Sequence, residues 1–195
     1  MRPYKKDAFK AQEYIRLSAH ALLCEDDNDQ SLNSHEQHDI VFLTYRKAHT
    51  LLQAGKLCMR RMQYYCAKSA FEKAISCLKN CKMTSLEQKR RKKGMLIALF
   101  ETLMICLNKM RRYRCVCHVM KDLRLLTINN PSALALCQHG RALSHLGKYY
   151  PSRLCYLKAL KKSPRDKSIM NKITRINKRI NDIEETSKML SQLSI

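Results

Sequence analysis

The sequence contains little glycine and little proline. Four glycines and four prolines occur among 195 residues, together about 4%, whereas average proteins have roughly 12%. A β-sandwich or β-barrel needs frequent turns, and those turns draw on glycine and proline. The scarcity of both residues therefore excludes these all-β folds and favours long helices.

Long apolar runs are also missing. The most apolar stretch, residues 95–107, is 13 residues long and carries Glu101, whereas a membrane-spanning helix needs about 20 apolar residues. No apolar segment follows the charged residues 1–7, so no secretory signal is predicted. We expect a soluble cytoplasmic protein with no membrane partner.

Ten cysteines could indicate a disulfide-linked extracellular fold. Because no signal segment is predicted and 45% of the residues are apolar, we favour reduced cysteines that pack as small hydrophobic residues. The cysteines interleaved with apolar residues are Cys58, Cys66, Cys77, Cys106, Cys117, Cys137 and Cys155.

Charge is distributed unevenly along the chain. Residues 1–45 have a net charge of −3 and residues 46–195 one of +25. The acidic residues are concentrated in residues 24–34, and this polar composition predicts a linker there. A helix is predicted before it, over residues 8–23. The cations include a basic surface cluster of Lys89, Arg90, Arg91, Lys92 and Lys93.

This charge makes RNA or another anion the alternative partner. The segment Arg111-Arg112-Tyr113-Arg114 adds an aromatic ring to the cations, as many RNA-binding surfaces do. Two observations weigh against it. Tyr113 also fits a packing position, and a charged run at a helix start is usually a solvated face.

Two segments 85 residues apart repeat one pattern of small and aromatic residues. Offsets of 9, 12, 16 and 19 from Gly55 give Tyr64, Ala67, Phe71 and Ala74; from Gly140 they give Tyr149, Ser152, Tyr156 and Ala159, followed by Pro164. Small residues let two antiparallel helices approach closely, and the aromatic rings fill the space between them. This is the pattern of the tetratricopeptide repeat, a helix-turn-helix unit of 34 residues.

A weaker third copy fits between these two. Its residues are Phe100, Leu103, Met104, Leu107, Tyr113, Val116 and Leu123, with Met104 at the position of the glycine. The run Thr84-Ser85-Leu86-Glu87 predicts a capping box and a helix reaching about Lys109. A break at residues 129–132 precedes the last repeat, with Ser132 as the expected cap.

An amphipathic helix is predicted at the C-terminus. Its apolar stripe is Ile169, Ile173, Ile176, Ile180, Ile183 and Leu190. The stripe can cap the final repeat or pair with a second chain in a coiled-coil dimer. We therefore predict an all-α protein with an N-terminal helix and acidic linker (1–45), three repeats forming a superhelix (46–164) and a C-terminal helix (165–195).

No catalytic constellation is visible, and an enzyme is the least expected class. Cys115-Val116-Cys117-His118 and the Cys77, Cys81 pair come nearest to metal-ligand spacing, but the repeat needs Val116 and Cys117 for packing. His35 and His38 fall in the predicted linker. We predict neither a metal nor a cofactor.

The spacing of the repeats, the long helix of the second repeat and the closing helix resemble the C-terminal tetratricopeptide domain of FK506-binding immunophilins. Residues 55–81 and 140–149 are most similar to the germline Shutdown branch of that family. The resemblance implies a non-catalytic co-chaperone module that acts with Hsp90 and Piwi-class Argonautes in piRNA biogenesis and transposon silencing. The family's isomerase domain is absent from these residues.

The resemblance also implies a groove that grips the acidic tail of Hsp90 through a two-carboxylate clamp of Lys, Asn and Arg side chains. The clamp-equivalent positions here are Leu52, Lys56, Thr102, Leu134 and Gln138, with Arg60 and Arg141 expected nearby. None keeps the family residue, and three have lost a cation. Because each charge-assisted hydrogen bond contributes roughly 1.5 to 3 kcal/mol, we expect a groove with altered specificity.

Overall fold

The described part of the chain is built from helices. The structure, a computed structural model, describes residues 34–83 and 85–193, and these form seven helices without a strand. The helices are α1 (Ser34–Arg60), α2 (Tyr64–Asn80), α3 (Leu86–Lys109), α4 (Tyr113–Leu126), α5 (Ala133–His145), α6 (Tyr149–Lys162) and α7 (Lys167–Leu193). None of these described helices is long and apolar enough to cross a membrane. The predicted helix over 8–23 and the segment 24–33 lie outside the described residues.

Consecutive helices pack as three hairpins, α1 with α2, α3 with α4 and α5 with α6, and α7 packs on α6. The sequence of α2 explains why this helix packs against its neighbours: its buried residues recur every three or four positions and form one apolar face. These residues are Ala67, Ala70, Phe71, Ala74, Ile75 and Leu78. This array of hairpins confirms the predicted tetratricopeptide superhelix.

Two glycines set the spacing within the outer hairpins. A Cβ on Gly55 would lie 2.8 Å from Cδ1 and Cζ of Phe71, and one on Gly140 would lie 3.1 Å from the Tyr156 ring. Both distances are shorter than an ordinary carbon–carbon contact of about 3.5 Å. The aromatic ring of the second helix therefore occupies the space that a side chain on the first would need.

The middle hairpin solves the same packing problem with methionines. Met104 stands at the glycine position and is fully buried, and Met120 stands at the aromatic position and is 1% exposed. Methionine is unbranched and fits irregular spaces, so the volume missing from α4 is supplied by α3. The third repeat predicted from the sequence is confirmed, with this exchange as its distinguishing feature.

The three hairpin turns share one backbone conformation. Met62, Arg111 and Gly147 have φ values of 60°, 57° and 74°, and each lies seven residues after the small or Met position of its repeat. In each turn the following amide donates to a carbonyl five residues back at 2.9 Å. This is the Schellman ending that usually carries glycine, and only the third turn has one.

Helix starts follow the predicted capping chemistry, with one shift in register. The Ser85 side chain accepts from the Glu87 amide at 3.3 Å, and Gln88 completes the capping box. The predicted box from Thr84 to Glu87 was therefore one residue early, and Thr84 itself lies outside the described residues. Ser132 caps α5 as predicted, accepting from the Ala135 amide at 3.1 Å.

Two other expectations were wrong. His35 and His38 lie in α1 instead of a linker, so α1 passes through the boundary that the sequence set between residues 45 and 46. Cys66 is exposed, whereas Cys58, Cys106 and Cys155 are buried as expected and Cys77, Cys117 and Cys137 are half-buried. The nine described cysteines are all free thiols.

Helix α7 caps the last repeat with the first half of its stripe. Ile169, Ile176 and Ile180 are at most 5% exposed, whereas Ile183 and Leu190 are 51% and 60% exposed. The capping role is therefore confirmed for the first half of the helix. Pairing of the exposed second half with another chain stays a prediction.

Replacing the glycines by alanine should separate packing from helix propensity. We expect Gly55→Ala to destabilise the protein by about 1 to 3 kcal/mol, the usual cost of overpacking, and Gly140→Ala by less. No atom lies within 4 Å of the position that a Cβ on Gly94 would occupy, so Gly94→Ala should stabilise α3 by about 0.5 to 1 kcal/mol. Urea unfolding of the three variants checks this order, and equal stability of Gly55→Ala and Gly94→Ala would contradict it.

Candidate functional site

The first helices of the three hairpins form one layer. Helix α3 packs against α5 and also touches α1, so residues of different repeats meet on this layer. All five clamp-equivalent positions and both neighbouring arginines lie on these three helices. This layer is the candidate peptide groove.

Two of the clamp-equivalent residues are engaged within the protein. Leu52 is 6% exposed and belongs to the hydrophobic core, so little of its side chain is available to a guest. The Thr102 hydroxyl donates to the Ala98 carbonyl oxygen at 2.8 Å and to the Leu99 carbonyl oxygen at 3.0 Å. The first helices therefore use both positions for their own packing and hydrogen bonding.

The other groove positions remain accessible to a guest. Lys56 is half-buried, Arg60 and Arg141 are exposed, and Leu134 is 44% exposed. Lys56 and Arg60 are one turn apart on α1, whereas Arg141 lies on α5. The groove therefore keeps cations at its two sides and presents an apolar side chain where the resemblance implies a cation.

A buried amide that the sequence analysis missed fixes the fifth position. Asn108 is 3% exposed, and its Nδ2 donates to the Gln138 carbonyl oxygen at 3.0 Å and to the Gln138 Oε1 at 2.9 Å. This pair joins α3 to α5. The only signal in the sequence is a single polar residue following the apolar run 103–107.

The Asn108 contact decides what Gln138 can offer. Since its Oε1 accepts from Asn108, the free end of the side chain is the amide nitrogen, which can only donate. Asn108 Oδ1 is buried and has no hydrogen-bond partner among the described residues. A neutral amide donor brings no positive charge to a carboxylate, so the groove suits a backbone carbonyl and an apolar side chain better than paired carboxylates.

A buried histidine of α5 and a buried cysteine of α6 lie next to each other. Cys155 Sγ is 3.3 Å from His139 Nδ1. Burial, followed by the charge of Arg124, lowers the pKa of His139 to about 4, and burial is also the main cause that raises the pKa of the Cys155 thiol. Both groups are therefore neutral near pH 7, and the pair is a packed contact, because a reactive cysteine needs an exposed thiolate.

The basic cluster divides into residues with different roles. Arg91 pairs with Glu87 at 2.5 Å on the surface of α3. Lys92 turns toward the end of α2 and donates to the carbonyl oxygens of Lys79 at 3.2 Å and Cys81 at 2.7 Å. Lys89, Arg90 and Lys93 are exposed. The five cations are therefore not one uniform anion-binding surface.

The segment considered for RNA is partly used by the fold. Tyr113 stacks on His145 with ring centroids 4.4 Å apart and an interplanar angle of 5°, so one face of the ring is covered. Val116, next to Cys115 and Cys117, is fully buried. No group of three or more metal-ligating side chains occurs among those that the structure describes, in residues 39–83 and 85–192.

Comparison with known proteins adds a relative and two similar structures. The sequence matches no protein-family model. It is 42% identical over 153 residues to the inactive peptidyl-prolyl cis-trans isomerase shutdown of Drosophila melanogaster, covering 78% of this chain and 34% of that protein. The chain therefore spans about a third of the relative's length.

The structure is similar to the C-terminal TPR-containing domain of an FK506-binding protein from Plasmodium falciparum, with a TM-score of 0.65 and 18% identity over 78% of this chain and 95% of that one. It is also similar to the first TPR domain of human RPAP3, with a TM-score of 0.56 and 15% identity over 71% and 96% of the two chains. The chain therefore has the tetratricopeptide fold, and its sequence is similar to part of an inactive peptidyl-prolyl isomerase. The relative is named as an inactive isomerase, which agrees with the prediction of a non-catalytic module.

The buried histidine makes stability depend on pH. The folded pKa of about 4 lies below the unfolded value near 6.5, so the contribution of the neutral imidazole is present above pH 6.5 and is lost as the pH falls toward 4. The loss corresponds to about 3 kcal/mol. Urea unfolding of wild type and His139→Gln between pH 7 and 4 should show this difference in pH dependence, whereas the control His118→Gln should follow wild type. Parallel curves for wild type and His139→Gln would contradict it.

Proposed function

We propose that this domain is the protein-interaction module of a cytoplasmic, Shutdown-like co-chaperone. It would hold a partner segment while Hsp90 acts with a Piwi-class Argonaute in germline piRNA biogenesis and transposon silencing. The observation that carries the proposal is the layer of first helices, which keeps accessible cations and an apolar position on the groove. The 42% identity to shutdown supports a Shutdown-like module.

The groove chemistry supports a partner other than a free acidic tail. Leu52 is buried and Leu134 is apolar, so two positions at which the resemblance implies a lysine offer no charge. Gln138 offers a neutral amide donor. We therefore propose that any Hsp90 contact uses other surfaces, and that the groove holds an apolar segment of another partner.

Adding cations to the groove should create tail binding. We expect the wild-type chain to show no measurable affinity for a synthetic peptide with an acidic C-terminal tail. Leu134→Lys combined with Gln138→Arg should bind it at least tenfold more tightly, because each charge-assisted hydrogen bond contributes about 1.5 to 3 kcal/mol. Isothermal titration calorimetry measures both affinities.

A matched control uses exposed leucines outside the groove. Leu154 and Leu157 lie on α6 and are 57% and 36% exposed, so Leu154→Lys with Leu157→Arg adds the same charge elsewhere. This control should not bind the tail more tightly than wild type. Micromolar binding by the wild-type chain would overturn the idea of an altered groove.

The cellular role is tested by comparing two charge reversals. Lys56→Glu with Arg141→Glu changes the groove, and Lys89→Glu with Lys93→Glu changes the basic cluster. If the groove holds the partner, immunoprecipitation from germ cells should lose the Piwi-class Argonaute with the first variant and keep it with the second. Retention by both variants would contradict the proposal.

RNA binding is the alternative function that the charge of +25 on residues 46–195 favours. It predicts that affinity for single-stranded RNA falls steeply with salt, with about one unit of log-log slope for each phosphate neutralised. The stacking of Tyr113 on His145 covers one face of the ring that such a site would use. The proposal for a protein partner therefore has the stronger support.

A further inference from the structure

A cavity outside the groove lies where α2 ends, α3 begins and α4 ends. Its volume is about 540 Å³. Met83, Leu96 and Leu126 supply apolar side chains to its lining, and five lysines also line it. Thr102 lies ten residues along α3 from Lys92, about 15 Å at 1.5 Å per residue. The cavity is therefore separate from the groove positions.

Two of the five lysines are used by the fold. Lys92 donates to carbonyl oxygens at the end of α2. Lys79 Nζ is 3.7 Å from an Asp122 carboxylate oxygen and 5.6 Å from the centroid of the Phe100 ring. These contacts hold both side chains at the cavity wall.

The other three lysines have no such compensation. Lys82, Lys89 and Lys93 are exposed, and none forms an ion pair with a carboxylate in the described part of the chain. Three uncompensated cations around an apolar cavity attract an anionic group and leave room for an apolar one. An acidic peptide that carries an apolar side chain has both features.

The lining favours a peptide over a nucleic acid. Single-stranded nucleic acids are held by cations together with aromatic rings on which bases stack. No aromatic side chain of the described residues lines this cavity, and Phe100 beneath Lys79 is 3% exposed. An aliphatic side chain fits the apolar lining better than a base does.

We propose that the occupant is the chain's own acidic segment, residues 22–29. Its sequence, Leu22-Leu23-Cys24-Glu25-Asp26-Asp27-Asn28-Asp29, places two leucines two to seven residues before four carboxylates. The leucines match the apolar lining, and the carboxylates match the lysines at its edge. This segment is the main acidic peak of the chain, whereas residues 46–195 are strongly positive.

The point of attachment lets the acidic segment reach the cavity. The Tyr45 hydroxyl donates to the Gln88 carbonyl oxygen at 2.6 Å, so α1 passes beside the start of α3, next to Lys89. Ser34 lies about 16 Å further along α1, counting 1.5 Å per residue. The five Cα–Cα steps from Ser34 back to Asp29 can span about 17 Å when extended, which is enough to return Asp29 to the level of Gln88.

The short tether also gives the segment an advantage over free ligands. An attached segment binds at an effective concentration of about millimolar when its linker matches the distance to be spanned. A free acidic peptide must therefore compete with it for the cavity. Guests of the groove need not, because the two surfaces are separate.

Carbodiimide cross-linking of the full chain tests the contact directly, because it joins carboxylates only to amines that touch them. We expect intramolecular links from Glu25, Asp26, Asp27 or Asp29 to Lys82, Lys89 or Lys93. These links should be lost in 1 M salt, where screening limits the attraction between charges to about 3 Å. Links mainly to Lys158 or Lys161 on α6 would overturn the proposal. So would links found only between chains in a mixture of isotopically labelled and unlabelled protein, which would make a second copy the occupant.

Competition by the full chain gives a second readout. A fluorescent peptide of residues 20–31 should bind at least tenfold more tightly to the variant Glu25→Gln, Asp26→Asn, Asp27→Asn, Asp29→Asn than to wild type, because the chain's own segment then no longer competes for the cavity. Adding Lys89→Glu and Lys93→Glu should abolish this binding. The matched control Arg90→Glu, on the same turn but outside the cavity lining, should leave it unchanged.

Equal peptide binding by wild type and the neutralised variant would overturn the proposal, as would equal effects of Arg90→Glu and the Lys89, Lys93 double change. The groove variant Lys56→Glu with Arg141→Glu should leave peptide binding unchanged. Failure here would therefore be distinguishable from failure of the proposed function, which depends on the groove.

Discussion

The contact between Gly55 and Phe71, repeated between Gly140 and Tyr156, is the constraint on which the rest of the architecture depends. Each ring lies against the bare backbone of the facing helix, so the axes approach more closely than any side chain at those positions would permit. Close approach fixes the orientation of each hairpin. That orientation places α1, α3 and α5 in one layer and therefore creates the groove.

The middle hairpin shows that volume, not residue identity, is what this packing requires. Met104 and Met120 together replace a glycine and an aromatic residue without leaving the core. Its turn also tolerates Arg111 in the left-handed conformation, which for a residue other than glycine costs about 1 kcal/mol. The strain persists because the hairpin on either side of the turn is held by buried contacts.

The fold was predictable because its main signals are local and periodic. The glycine and aromatic spacing, the cap at Ser132 and the isoleucine stripe of α7 each require one segment of sequence and one physical rule. The start of α1 was missed because polar residues 34–39 look like a continuation of the acidic linker. The site was less predictable, because its chemistry depends on contacts between repeats. No local pattern reveals that Leu52 faces the core, or that Asn108 bonds a glutamine 30 positions away.

The two surfaces differ in how they can discriminate between partners. Long-range attraction from the positive charge acts on every acidic molecule and raises association rates without choosing among them. Choice must come from short-range contacts. At the groove these are the Gln138 amide and the apolar Leu134, which offer a carboxylate no positive charge, whereas the cavity has three uncompensated lysines. The same positive field can therefore direct an acidic segment to the cavity and leave the groove for an apolar guest.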